Sequence, residues 1–167
     1  GKTPTKEALK TFCAPYETRP QASCWSEGWP LYWDQVKKPA GLMSFCSVLP
    51  QGVMRERCYN GMFFIMASQF QLNTEKIIAF CREIPLPERN RCFANGAGRL
   101  IETAEKLVAQ ALAICAAAAT VDAGDACYDE LVMYSEFNFH SGSDVQKQLC
   151  DGLPPKWQTN CGSVSIR

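Results

Sequence analysis

The stretch Ala79-Phe80-Cys81-Arg82-Glu83-Ile84-Pro85-Leu86-Pro87-Glu88-Arg89-Asn90-Arg91-Cys92-Phe93 decides the architecture. It reads as the end of one helix, a turn marked by two prolines, and the start of a second helix. A cysteine stands on each side of the turn. Proline disfavours helix for the residue before it, so the first helix stops near Ile84. The same layout recurs along the chain. The ten cysteines are Cys13, Cys24, Cys46, Cys58, Cys81, Cys92, Cys115, Cys127, Cys150 and Cys161, and consecutive pairs lie 11, 12, 11, 12 and 11 positions apart. First members advance by 33 to 35 residues and second members by 34 or 35. Two interleaved series with one period of about 34 residues mark an array of short helix pairs.

Other residues keep the same period. Around each first cysteine the apolar residues fall at helical spacing. The sets are Leu9, Phe12, Cys13, Tyr16; Leu42, Phe45, Cys46, Leu49; and Ile77, Phe80, Cys81, Ile84. A weaker set is Ala111, Ile114, Cys115, Ala118; a last one breaks at Gln146 but keeps Leu149, Cys150 and Leu153. An aromatic follows the second cysteine at Trp25, Tyr59, Phe93 and Tyr128.

An even number of regularly spaced cysteines points to disulfides and an oxidising compartment. Zinc ligation is disfavoured, since no short Cys-x-x-Cys occurs and His140 is the single histidine. Two regular pairings exist. Each pair can clamp its own turn, as Cys81 to Cys92, or each second cysteine can join the next first one, as Cys92 to Cys115. Antiparallel helices permit both. The first is favoured because it uses all ten cysteines, whereas the second strands Cys13 and Cys161. Each such bridge closes a loop of about 12 residues, worth roughly 3 kcal/mol in the chain-entropy model.

The expected fold is therefore all-α: an α/α solenoid-like array of about five disulfide-clamped antiparallel helix pairs, forming one cysteine-rich repeat domain over residues 1–167. The 167 residues are 47% hydrophobic with a formal net charge of zero. That balance argues against nucleic acid as a partner. No apolar run is long enough to span a membrane. The chain begins Gly-Lys-Thr without Met, which reads as a processed piece of a larger exported protein, with Gly1 as a cleavage scar.

In chain order, Thr3-Pro4 reads as the cap and first turn of the opening helix, which has no partner before it. Pro20 starts the next helix, and Pro30 should kink it. Trp25, Trp29, Tyr32 and Trp33 form a helical stripe. They are either core under an end repeat or an aromatic binding surface. Residues 53–70 are apolar on more than one face, so this helix should be central. Asn73 reads as a helix cap. Arg82, Arg89, Arg91 and Arg99 form a basic cluster, either a solvated face or part of a binding surface. Thr103 reads as the cap of a helix leading to Cys115. Asp122, Asp125, Asp129, Glu130 and Glu136 make the following helix acidic, as suits a helix N-terminus. A short helix follows Pro154-Pro155.

This layout resembles tetratricopeptide-like arrays, and more closely the disulfide-bridged helical-hairpin repeats of secreted bacterial cysteine-rich proteins. The tetratricopeptide consensus does not recur, so no binding residue is carried over. Mitochondrial twin-cysteine hairpins are a second, looser likeness. The resemblance implies a non-enzymatic protein-binding scaffold located outside the cytoplasm, in the periplasm, at the cell surface or secreted, with no cofactor. Catalysis is disfavoured by the single histidine and by the lack of a Gly-rich phosphate loop, a haem-attachment motif or a nucleophile elbow. Two alternatives are a helical binding protein for an apolar small molecule or lipid, enclosed between Trp29, Tyr32, Met62 and Phe63, and an accessory domain of an exported enzyme.

Overall fold

A computed structural model describes residues 4–16 and 18–161. Among them are eleven α-helices, two 3₁₀ turns and no strand. The helices are α1 (Lys6–Cys13), α2 (Thr18–Glu27), α3 (Trp33–Val36), α4 (Pro39–Cys46), α5 (Val53–Gln69), α6 (Thr74–Arg82), α7 (Glu88–Thr103), α8 (Val108–Ala119), α9 (Gly124–Asn138), α10 (Asp144–Gly152) and α11 (Pro155–Gln158). None is long and apolar enough to cross a membrane.

The five disulfides are Cys13–Cys24, Cys46–Cys58, Cys81–Cys92, Cys115–Cys127 and Cys150–Cys161, each closing its own turn. Their Cα atoms lie 5.3 to 5.8 Å apart, the ordinary reach of a disulfide. Five intramolecular disulfides are typical of oxidising, extracytoplasmic compartments. The two helices flanking each bridge touch: α1 with α2, α4 with α5, α6 with α7, α8 with α9, and α10 with α11. The helices bearing the second cysteines also touch in succession, α2 with α5, α5 with α7, α7 with α9 and α9 with α11. Their seams hold one core, in which Trp25, Phe45, Met62, Met66, Phe93, Leu100, Ile114 and Leu131 are fully buried.

Helix ends follow local chemistry, with some departures from expectation. Asn73 caps α6 as expected, its Oδ1 accepting the Lys76 N–H at 2.9 Å. The expected Thr3 cap lies outside the described residues. Thr5 does that work for α1, its Oγ1 accepting from the Ala8 N–H at 3.2 Å. Pro30 does more than kink a helix: α2 stops at Glu27, a 3₁₀ turn covers Trp29–Tyr32, and α3 starts afresh. Gly41 lets α4 lie tight against this segment, because a Cβ there would run into the Gln35 backbone. Thr103 is not a cap. Its hydroxyl donates back to the Arg99 carbonyl at 2.7 Å, and the chain breaks one residue later, where Ala104 is extended at φ −162°, ψ 129°. The central helix α5 buries Cys58, Tyr59, Met62, Phe63, Met66 and Ala67. Asp125 sits in the first turn of α9, where an acid suits the helix dipole.

A device absent from the expectations recurs at the turns. Three residues before a second cysteine, a side chain donates to the backbone carbonyl three residues after the matching first cysteine. Arg55 Nε donates to the Leu49 carbonyl at 2.9 Å, Arg89 Nε to Ile84 at 2.8 Å, and Gln158 Nε2 to Leu153 at 2.8 Å. These carbonyls lie just past a helix end, where no helical N–H reaches them.

Candidate functional site

A large apolar concavity lies on α1 and the end of α2. It is an open groove of about 640 Å³ lined mainly by Pro4, Leu9, Phe12, Tyr16, Glu27 and Leu31. Leu9 forms its floor and is buried, while Phe12 is 68%, Tyr16 49% and Leu31 52% exposed. Gly28 also lines the groove, and a Cβ there would stand 2.7 Å from Leu9 Cδ2.

The repeat shows how unusual this exposure is. Phe12 precedes the first cysteine of its unit, as Phe45, Phe80, Ile114 and Leu149 do in theirs, and those four are at most 7% exposed. Tyr16 corresponds to Leu49, Ile84, Ala118 and Leu153, all at most 3% exposed. Rings from the preceding unit cover these positions where the rings can be traced. Trp25 and Tyr32 lie 5.2 and 5.4 Å from Phe45, and Phe70 lies 5.3 Å from Phe80. No described residue does this for Phe12. The sequence carried a signal for the groove, namely the apolar set Leu9, Phe12, Cys13 and Tyr16 on the opening helix.

The aromatic stripe is placed differently from the surface reading. Trp25 and Tyr32 belong to the core. The Trp25 indole donates to the Phe45 carbonyl at 3.1 Å, and the Tyr32 hydroxyl donates to the Thr5 carbonyl at 3.1 Å. Burial pushes the Tyr32 phenol above its ordinary pKa. Trp29 and Trp33 are half-buried and meet edge to face at 5.8 Å. The rings of Trp25 and Tyr32 are buried against Phe45 of α4, as the core reading of the stripe has them. Of the residues expected to enclose an apolar ligand, Tyr32, Met62 and Phe63 are buried in the core and Trp29 is half-buried against it.

The arginines are used separately. Arg82 is exposed. Arg89 caps Ile84 as described. Arg91 pairs with Glu56 on α5 at 3.4 Å. Arg99 donates to Ser68 Oγ at 2.8 Å, lies 4.4 Å over the Phe64 ring and pairs with Glu102 at 3.6 Å. Arg91 and Arg99 thus fasten α7 to α5 rather than facing outward together.

A smaller polar recess of about 190 Å³ crosses α5, α7 and α9, lined by Asn60, Asn90, Arg91, Asn95 and Glu130 among others. Asn95 Nδ2 donates to Asn60 Oδ1 at 3.3 Å, while the buried Asn90 Oδ1 has no hydrogen-bond partner among the described residues. Burial pushes the Glu130 carboxyl above its usual range. His140 is exposed. Among the described residues, no three or more His, Cys, Asp and Glu side chains gather as a metal site would require. Comparison with protein-family models, curated proteins and solved structures returned no match.

Proposed function

We propose that this chain is a non-enzymatic, extracytoplasmic protein-interaction scaffold, built as a stack of five disulfide-clamped antiparallel helical hairpins and engaging its partner through the groove on the first hairpin. The succession of contacts α2–α5–α7–α9–α11 and the five turn-closing bridges support the stacked reading. The observation that carries the functional reading is the exposure of Phe12 and Tyr16, whose counterparts in the other units are buried. Contiguous apolar surface of this kind marks interaction sites. The groove's volume also lies in the range of small-molecule pockets, roughly 300–1,000 Å³, which keeps an apolar ligand or lipid as a second reading.

The test is a photo-crosslinking amino acid in place of Phe12, with a control at the exposed His140, in protein incubated with an envelope or culture-supernatant fraction. A discrete crosslinked polypeptide from the Phe12 position alone supports the scaffold. Equal labelling from both positions, or none, removes it.

A further inference from the structure

We infer that the recess between α5, α7 and α9 is a subsite for an ammonium group, the lysine side chain of a polypeptide partner, held by Glu130 and the carboxamide oxygens beside it. This contact is separate from the groove on α1. The recess is walled by three helices, with α7 touching both α5 and α9. Its polar side chains occupy one place in the repeat. Asn60, Asn95 and Glu130 stand 14, 14 and 15 residues after the first cysteines Cys46, Cys81 and Cys115. Equivalent positions in a helical array line up across successive units. Two of the three bond directly, Asn95 Nδ2 to Asn60 Oδ1 at 3.3 Å.

The chemistry of the lining selects the ligand. Asn95 commits both amide protons, to Asn60 Oδ1 and to the Arg91 carbonyl at 2.8 Å, so its remaining capacity is to accept. Glu130 is half-buried and makes no hydrogen bond or ion pair among the described residues. Asn90 Oδ1 is a further acceptor without a hydrogen-bond partner among those residues, and the broad carboxamide torsion lets it turn to an incoming donor. Arg91, the cation of the lining, pairs with Glu56 on α5 at 3.4 Å rather than with Glu130. An ammonium brings three donors, no acceptor and the charge that Glu130 lacks. Size decides where the ammonium comes from. The recess holds about 190 Å³, below the roughly 300–1,000 Å³ of sites that enclose a whole small molecule. It takes the tip of one side chain, which points to a lysine on a larger partner.

Binding should depend on pH. Burial raises the Glu130 pKa, and a bound cation favours the ionised carboxylate. Affinity should therefore rise with pH through the Glu130 pKa, while the lysine ammonium, with an ordinary pKa of about 10.4, stays charged. The charged or titratable groups nearby are Arg91 on α7, paired with Glu56 on α5, and the Tyr134 phenol on α9, whose raised pKa keeps it neutral over this range.

The probe is a capped Gly-Gly-Lys-Gly-Gly peptide, titrated into the intact oxidised protein at low ionic strength and followed by the side-chain amide signals of Asn60, Asn90 and Asn95 in ¹H–¹⁵N NMR spectra. The expected result is a saturable shift of these signals, with affinity rising with pH. Glu130→Gln should weaken binding about tenfold and abolish the pH dependence. Glu136→Gln, at an exposed position of the same helix, should change neither. An unchanged near-ultraviolet circular dichroism spectrum checks the fold of both variants. No shift, or equal binding of peptides with norleucine or Nε-acetyl-lysine in place of lysine, overturns the ammonium site. Equal weakening by Glu130→Gln and Glu136→Gln overturns it as well, because diffuse charge then explains the binding. Binding of n-butylammonium as tightly as the peptide assigns the recess to a free amine and overturns the polypeptide source. None of these results bears on the Phe12 crosslink, so the scaffold reading and this inference can fail separately.

Discussion

Arg89 donates its Nε–H to the backbone carbonyl of Ile84 at 2.8 Å, across the turn that the Cys81–Cys92 bridge closes. The bond satisfies an acceptor that the following prolines leave without a helical donor. Gln158 makes the same bond to Leu153 without a charge. The role is therefore one of geometry and donor position.

Replacing Arg89 with Met keeps the stem and removes the donor. The expected loss is about 1–2 kcal/mol. Arg89→Gln should recover most of it, as the third unit would then use the fifth unit's solution. Urea unfolding with the disulfides intact measures both. A full loss in Arg89→Gln would show that charge, rather than the donor, matters.

Trp25 ties α2 to α4 with its ring against Phe45 and its N–H on the Phe45 carbonyl. Trp25→Ala should cost about 3–5 kcal/mol through the cavity it leaves. Trp25→Phe should cost less, about 1–3 kcal/mol, because the ring remains while the hydrogen bond is lost. Thermal melts followed by near-ultraviolet circular dichroism would register the difference.

The bridges should not reduce together. Both sulfurs of the three central bridges are in buried residues, whereas Cys24, Cys150 and Cys161 are half-buried. Thiolate attack needs access to a sulfur. Under mild reductant, alkylation and peptide mass mapping should therefore find Cys13–Cys24 and Cys150–Cys161 open first. The untreated protein should show no alkylated cysteine, as all ten are bridged. Simultaneous opening of all five would indicate that global unfolding precedes reduction.

Glu130 sets a dependence of stability on pH. Burial raises its folded-state pKa above the unfolded value of about 4.3. The folded state then holds the proton more firmly than the unfolded state. Its contribution is fully present below the unfolded value and falls away as pH rises through the folded value. Glu130→Gln should match the wild type at acid pH and exceed it in stability at neutral pH. Chemical denaturation at a series of pH values tests the sign. The same substitution should lower the raised Tyr134 phenol pKa, since the Glu130 charge contributes to that shift.

How much of this was legible in the sequence follows from what burial depends on. Helix positions and turns follow from local spacing, and a period repeated along the chain makes spacing strong evidence; spacing left two bridge patterns open, and only the use of all ten cysteines chose between them. The Asn73 cap is local in the same way. Exposure is not local. Phe12 and Phe45 stand at the same place in their units and read alike, yet one is on the surface and the other in the core. The difference lies in what precedes each unit in space. Trp25 and Tyr32 show the same limit: the stripe read equally as core or as interface, and only the position of α4 places their rings against Phe45. Thr103 misleads for a different reason. Its hydroxyl can bond forward as a cap or back into its own helix, and the residue type does not say which.

The shortness of the bridged loops has a mechanical consequence. Each disulfide joins residues 11 or 12 apart and holds their Cα atoms within 5.8 Å. An extended segment of that length would reach roughly 40 Å. A chain pulled by its two ends can then lengthen only through the segments between bridges. Each bridge withholds roughly 35 Å of slack until it is reduced. Under tension the oxidised protein should yield in short steps, and it should keep every turn folded back on itself after the helices have given way.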